Sequence, residues 1–94
     1  MTKCLKITFS KTKMPPDFLR SVVQKHAKKL DIEGIAKVLM VDQKICIIAC
    51  GVKDNIDAFV DLLHKRFSEF SIHEIKIEPF IRDKDYRNVF RIIE

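Results

Sequence analysis

Residues 31–51, DIEGIAKVLMVDQKICIIACG, decide the fold. Within them Ile35, Lys37, Leu39 and Val41 alternate with Ala36, Val38, Met40 and Asp42, the two-residue period of a strand, and Asp42, Gln43 and Lys44 supply a polar turn. Residues 45–51, ICIIACG, are apolar on both faces, which predicts a central strand paired as a hairpin with its predecessor.

Working outward towards the N-terminus, residues 3–9 place Leu5, Ile7 and Phe9 on one face and Cys4, Lys6 and Thr8 on the other, a half-buried first strand. Residues 10–16, SKTKMPP, read as a loop running into a helix, since Pro16 suits a first turn where an N–H is unpaired anyway. From 18 to 30 the positions Leu19, Val22, Val23, His26, Ala27 and Leu30 form an apolar stripe opposite Arg20, Gln24, Lys25, Lys28 and Lys29. Towards the C-terminus, Asp54 is placed to cap a second helix whose stripe is Ile56, Phe59, Val60, Leu62, Leu63 and Phe67. A strand around 73–80, with Ile75 and Ile77 on one face, a polar loop at 82–88 and a last strand at 89–93 complete the chain. The order β-α-β-β-α-β plus a short last strand predicts a ferredoxin-like, split βαβ α+β fold: an antiparallel sheet with two helices on one face.

Composition bounds this reading. A chain of 94 residues forms a single domain, residues 1–94, because a second core would need roughly 50 residues of its own. No apolar run approaches the roughly 18 residues of a membrane span, and the N-terminus lacks the apolar stretch of a signal peptide, so a soluble, cytoplasmic protein is expected. Cys46 and Cys50, if on one strand, lie about 13 Å apart and cannot be joined, which with the odd cysteine count favours free thiols and a reducing compartment.

A net charge of +5 raises polyanion binding. The basic residues are scattered and interrupted by acids, with only Lys25, Lys28 and Lys29 clustered, which argues against nucleic acid. The central strand carries none of the aromatics on which RNA-binding modules of this topology stack bases. His26, His64 and His73 fall in different elements without ligand spacing, so neither a metal nor another cofactor is expected.

The sequence resembles the acylphosphatase family, and the resemblance lies in joint spacing. Phe18-Leu19-Arg20 stands where the family carries its Phe-Arg pair. Ala27-Lys28-Lys29-Leu30 with Ile32 and Gly34 matches its helix end and the glycine opening its second strand. Asp42, then Ile45, Ile47, Ala49 and Gly51, follows its strand-turn-strand pattern, and Phe59 and Leu63 stand where its second helix keeps its core.

The resemblance implies metal-independent hydrolysis of acyl phosphates to carboxylate and phosphate. It further implies a backbone cradle holding the phosphate, an arginine binding it and an asparagine orienting the attacking water. Arg20 corresponds to the arginine, whereas the asparagine's place is taken by Val38, which neither donates nor accepts a hydrogen bond. The family's glycine-rich stretch is replaced by Met14-Pro15-Pro16-Asp17, which removes two N–H donors and adds a carboxylate able to pair with Arg20 on a helix. Lys11 and Lys13 are the remaining phosphate-binding candidates.

The expectation is therefore an acylphosphatase-like domain without efficient catalysis, acting as a binding or interaction module for a protein or acidic ligand. Its rivals are an active acylphosphatase, with acyl phosphate or phosphate as ligand, and a basic polyanion-binding module.

Overall fold

The computed structural model describes every residue except Lys13, His73, Asp83, Lys84 and Glu94. Five strands, β1 (Thr2–Ser10), β2 (Glu33–Leu39), β3 (Lys44–Val52), β4 (Ile75–Pro79) and β5 (Phe90–Ile93), form one sheet in the order β4-β1-β3-β2-β5. Apolar residues on both faces put β3 at the centre. Its Ile45, Ile47 and Ala49 lie opposite Phe9, Ile7 and Leu5 of β1 on the helix-covered face, while Ile48 and Cys50 are buried on the other. The hairpin with β2 pairs Val38 with Ile45 and Gly34 with Ala49. Gly34, at φ +148°, lies so close to the Ile48 carbonyl oxygen that an added Cβ would run into it, so only glycine fits there.

Two helical segments cover the first face. One opens as a π-helical stretch, Leu19–Gln24, and closes as α1 (Lys25–Lys29); the other is α2 (Lys53–Glu69). Leu19, Val23 and Ala27 are buried, while Val22, His26 and Leu30 of the expected stripe are half-buried. Ile56, Phe59, Leu63 and Phe67 of α2 are buried as their stripe requires. Asp54 is not the cap: β3 runs straight into α2, the cap position is Val52, and Asp54 lies in the first turn, where its charge complements the helix dipole. One N–H at that start is satisfied from elsewhere, by donation from Lys53 to the Met1 carbonyl at 3.0 Å. Between helices and sheet, Phe9 meets Phe67 at 4.6 Å and Phe18 at 6.3 Å between ring centres.

The sheet is mixed. Its first four strands pair antiparallel as expected, but β5 runs parallel to β2. The reason is the route from β4 at one edge to β5 at the other. Phe80 leaves β4 beside the start of β1, donating its N–H to the Cys4 carbonyl at 3.1 Å, and Val89 arrives beside the start of β2, accepting from the Gly34 N–H at 3.0 Å. The chain thus enters β5 from the same end as it enters β2.

The expected polar loop is a strap across the second face. Tyr86 is buried against Ile48 and Cys50, and the buried Glu33 accepts the Asn88 N–H at 2.7 Å and pairs with Arg82. Asp83 and Lys84 of that loop, and His73 at the start of the expected fourth strand, lie outside the described residues.

The expectation of free thiols is overturned. Cys4 and Cys50 face each other in the register, with Cα atoms 4.1 Å apart, and form a disulfide, while Cys46 remains free. The Cys4 carbonyl points away from β3 towards Phe80, so the two cysteines occupy a non-hydrogen-bonded pair, where side chains of neighbouring strands approach most closely. Spacing along one strand correctly separated Cys46 from Cys50 but could not see across to β1, and the argument from thiols to a reducing compartment falls with it. Among the described residues no helix is long and apolar enough to cross a membrane.

Candidate functional site

Where β1 ends, residues 11–18 lead into the first helical segment beside the C-terminal end of β2, at Val38. Among the described residues most of the turn's amides are spent on the chain itself. Lys11 donates its N–H to the Gln43 carbonyl at 3.0 Å, Met14 to Lys11 at 3.3 Å and Phe18 to Pro15 at 3.1 Å. Arg20 and Ser21 both donate to the Asp17 carbonyl, at 3.1 and 2.8 Å, and the Thr12 N–H reaches the Ser10 hydroxyl at 3.4 Å. With Pro15 and Pro16 lacking an N–H, the described residues from 11 to 20 leave only the amides of Asp17 and Leu19 for an outside acceptor.

Beside this turn lies a cleft of about 290 Å³ lined by Met14, Pro15, Pro16, Leu19, Val38, Met40 and Ile45, with Lys11 as the one charged lining residue among the described residues. Val38 and Lys11 are therefore brought together. Arg20 is not among the lining residues; it is exposed, and Leu19 takes the inward position beside the buried Phe18. Leu19, Val23 and Ala27 form the inward stripe expected from the sequence, with Arg20 on the side away from it, and residues 19–24 are wound as a wider, i→i+5 turn. Asp17, also exposed, forms no ion pair with Arg20 among the described residues, so the pairing open to them by spacing is not made. Lys13 lies outside the described residues.

The other titratable groups lie elsewhere. Lys25, Lys28 and Lys29 are exposed on the first helical segment and do not line the cleft. His26 is half-buried, and burial first, then the charges of Lys29, Lys25 and Arg66, hold its imidazole below the ordinary 6.5. His64 is exposed, and among the described residues no three His, Cys, Asp or Glu side chains gather as metal ligands would.

The sequence profile described as acylphosphatase matches residues 18–92, from the residue beside the cleft to the last strand. The chain belongs to the acylphosphatase family. Among solved structures, the acylphosphatase from Coxiella burnetii superposes with a TM-score of 0.75 at 26% identity, covering 97% of this chain and 92% of that one. The acylphosphatase from Bacillus subtilis gives 0.72 at 18% identity over 100% of both chains, a likeness of fold. Full-length HypF in its phosphate- and nucleotide-bound form gives 0.72 at 20% identity, covering 100% of this chain but 12% of that one, so acylphosphatase-like domains also occur inside larger proteins. No curated protein sequence matches the chain.

Sequence reasoning named four residues that share this lining, Lys11, Pro15, Pro16 and Val38. It missed Leu19 and Met40 as lining residues, because both read as ordinary members of an apolar stripe and an alternating strand. A wide first turn leaves no mark in hydrophobic spacing that an α-helix would not also leave.

Proposed function

We propose that this member of the acylphosphatase family is a binding module that hydrolyses acyl phosphates poorly. The observation that supports this reading is the cleft itself. At the place where phosphoryl transfer needs a guanidinium, converging N–H donors and a water-orienting amide, the described lining offers hydrocarbon and the ammonium of Lys11, with Arg20 outside it. A phosphate seated there would exchange its hydration for apolar contacts, an unfavourable trade for a dianion.

The test is hydrolysis of benzoyl phosphate by purified protein. We expect a rate little above that of buffer. Saturable turnover abolished by Arg20→Ala would establish the active-enzyme reading instead, because Arg20, exposed and without an ion-pair partner among the described residues, is free to reorient onto a bound phosphate. Binding to a polyanion that weakens steeply with salt and is lost on neutralising Lys25, Lys28 and Lys29 would favour the basic-module reading.

A further inference from the structure

The two edges of the sheet differ. On β5 the Val89 carbonyl accepts from Gly34, so the backbone of Phe90 faces outward, and its carbonyl is taken by Gln24, whose Nε2 donates to it at 3.0 Å. On β4 no strand lies beyond. Because the Phe80 N–H donates to the Cys4 carbonyl, Lys6 with Glu78 and Thr8 with Lys76 are the hydrogen-bonded pairs, and the backbones of Ile75, Ile77 and Pro79 point outward. Pro79 has no N–H to offer there, a position an edge tolerates. Ile75 and Ile77 lie on the helix-covered face, opposite Phe9 and Ile7, yet Ile77 is exposed. Lys76 and Glu78 lie on the other face as an ion pair 2.9 Å apart.

A lysine and a proline on a free edge deter most strands, but this strand is complementary to itself. A second, antiparallel copy centred on Ile77 sets Lys76 opposite Glu78 and Glu78 opposite Lys76, with Ile77 against Ile77 on the helix-covered face. The Ile77 backbones then exchange both of their hydrogen bonds, and at either end the Ile75 N–H meets the Pro79 carbonyl. Sliding to a neighbouring register that keeps the faces matched sets like charges opposite: Lys76 on Lys76 with Glu78 on Glu74, or Glu78 on Glu78. In the complementary register Glu78 lies between Lys6 of its own β1 and Lys76 of the second copy, so charges alternate across the joined sheet. All five residues of β4 are described, and none of them lines the cleft.

We propose that the β4 edge is a self-association surface, on which a second copy of this chain adds its own β4, antiparallel and centred on Ile77, to join the two sheets into one. A five-residue edge is small beside the roughly 1,200 Å² that a stable interface buries. The dimer is therefore weak and reversible, with a dissociation constant of roughly 0.1–1 mM. The proposal does not depend on how the cleft acts.

The experiment is sedimentation velocity and amide chemical-shift mapping of the whole chain over a concentration series up to about 1 mM. The protein is expected to dimerise, with concentration-dependent shifts centred on residues 75–79. Lys76→Glu and Glu78→Lys, each alone, set like charges opposite and should weaken the dimer about ten-fold or more. Mixed with each other, the two variants should associate, because each supplies the charge that the other lacks. Ile77→Pro removes an outward N–H and no bond to β1, so it should abolish dimerisation while the monomer keeps its melting temperature within a few degrees. A protein that stays monomeric to about 1 mM, or a dimer whose shifts centre on β5 or elsewhere, overturns the proposal. So do single charge variants that dimerise as the parent does or fail to associate when mixed.

Discussion

Val38→Asn supplies the amide side chain that the resemblance to the family implies at this point of β2, and its effect on benzoyl phosphate hydrolysis separates a site lacking one part from a site lacking several. Removing one preorganised donor typically costs about 10²–10³ in rate, so a site complete but for the amide would regain a factor of that size. The structure argues for much less. Of the backbone donors between residues 11 and 20, those of Lys11, Met14, Phe18 and Arg20 are spent on carbonyls of the chain, and Pro15 and Pro16 have none. The new amide would face a cleft in which Lys11 is the one cation among the described lining residues. Val38 is also half-buried, and an amide left without partners there costs roughly 1–3 kcal/mol. We therefore expect Val38→Asn alone to raise kcat/KM by less than about ten-fold, with a lowered Tm. Replacing residues 14–17 by a glycine-bearing loop without the acid should act likewise alone, whereas the two changes together should exceed the product of their separate gains. A double-mutant cycle on initial rates, with urea unfolding of each variant, measures both quantities. A gain of 10² or more from Val38→Asn alone would show that the existing turn already binds phosphate, and the reasoning from its spent amides and prolines would be wrong.

Phe59 is fully buried on the inward face of α2, so Phe59→Ala should cost about 3–5 kcal/mol in urea unfolding, and a loss under about 0.5 kcal/mol would mean that the cavity simply collapses. His26 titrates below its unfolded value of 6.5, so the unfolded chain binds its proton first as pH falls. Stability should be undiminished above 6.5 and decline as pH drops from there towards the folded value, and His26→Asn should flatten that window, a comparison of melting temperatures across pH being the check. Under non-reducing denaturation Cys46 alone should alkylate, with Cys4 and Cys50 following only after reduction. Replacing that pair by alanines should cost about 2–4 kcal/mol, given the 46-residue separation of the bridged positions. Glu33→Gln should weaken the hold on Arg82 and speed amide exchange at Asn88 about ten-fold, while unchanged exchange would show that Tyr86 alone seats the strap.

Strictly local patterns carried most of the fold. Leu5, Ile7 and Phe9 alternate because one face of β1 is buried, the doubly apolar run of β3 needs a neighbour on each side, and Phe59 and Leu63 repeat at a helical step. What depended on distant partners was hidden. The parallel pairing of β5 follows from a crossing that begins at Cys4 and ends at Gly34, and the disulfide follows from a register between strands 46 residues apart. The start of α2 is completed by Met1, which no window around Asp54 contains. At the site, the substitution at Val38 and the two prolines were legible as chemistry. The inward Leu19 and outward Arg20 were legible too, in the apolar stripe of residues 19–30, whereas the wide winding of residues 19–24 was not, because an α-helix leaves the same spacing.

The bond between Cys4 and Cys50 has a consequence for the fragments of a cut chain. Lys11, Met14, Leu19, Val38 and Ile45 all lie in sequence between the two joined cysteines, so the cleft is built within one covalent ring. The exposed tip of the hairpin at residues 40–44 is the natural place for a protease to enter that ring. A single cut there opens the ring into a branched chain whose halves remain tied through β1 and β3, next to the strands that hold the cleft. Such a nicked protein should stay a single species, heavier than the intact chain by the one water consumed in the cut, until a reductant is added, and because its two pieces cannot drift apart, it should keep its cleft as well.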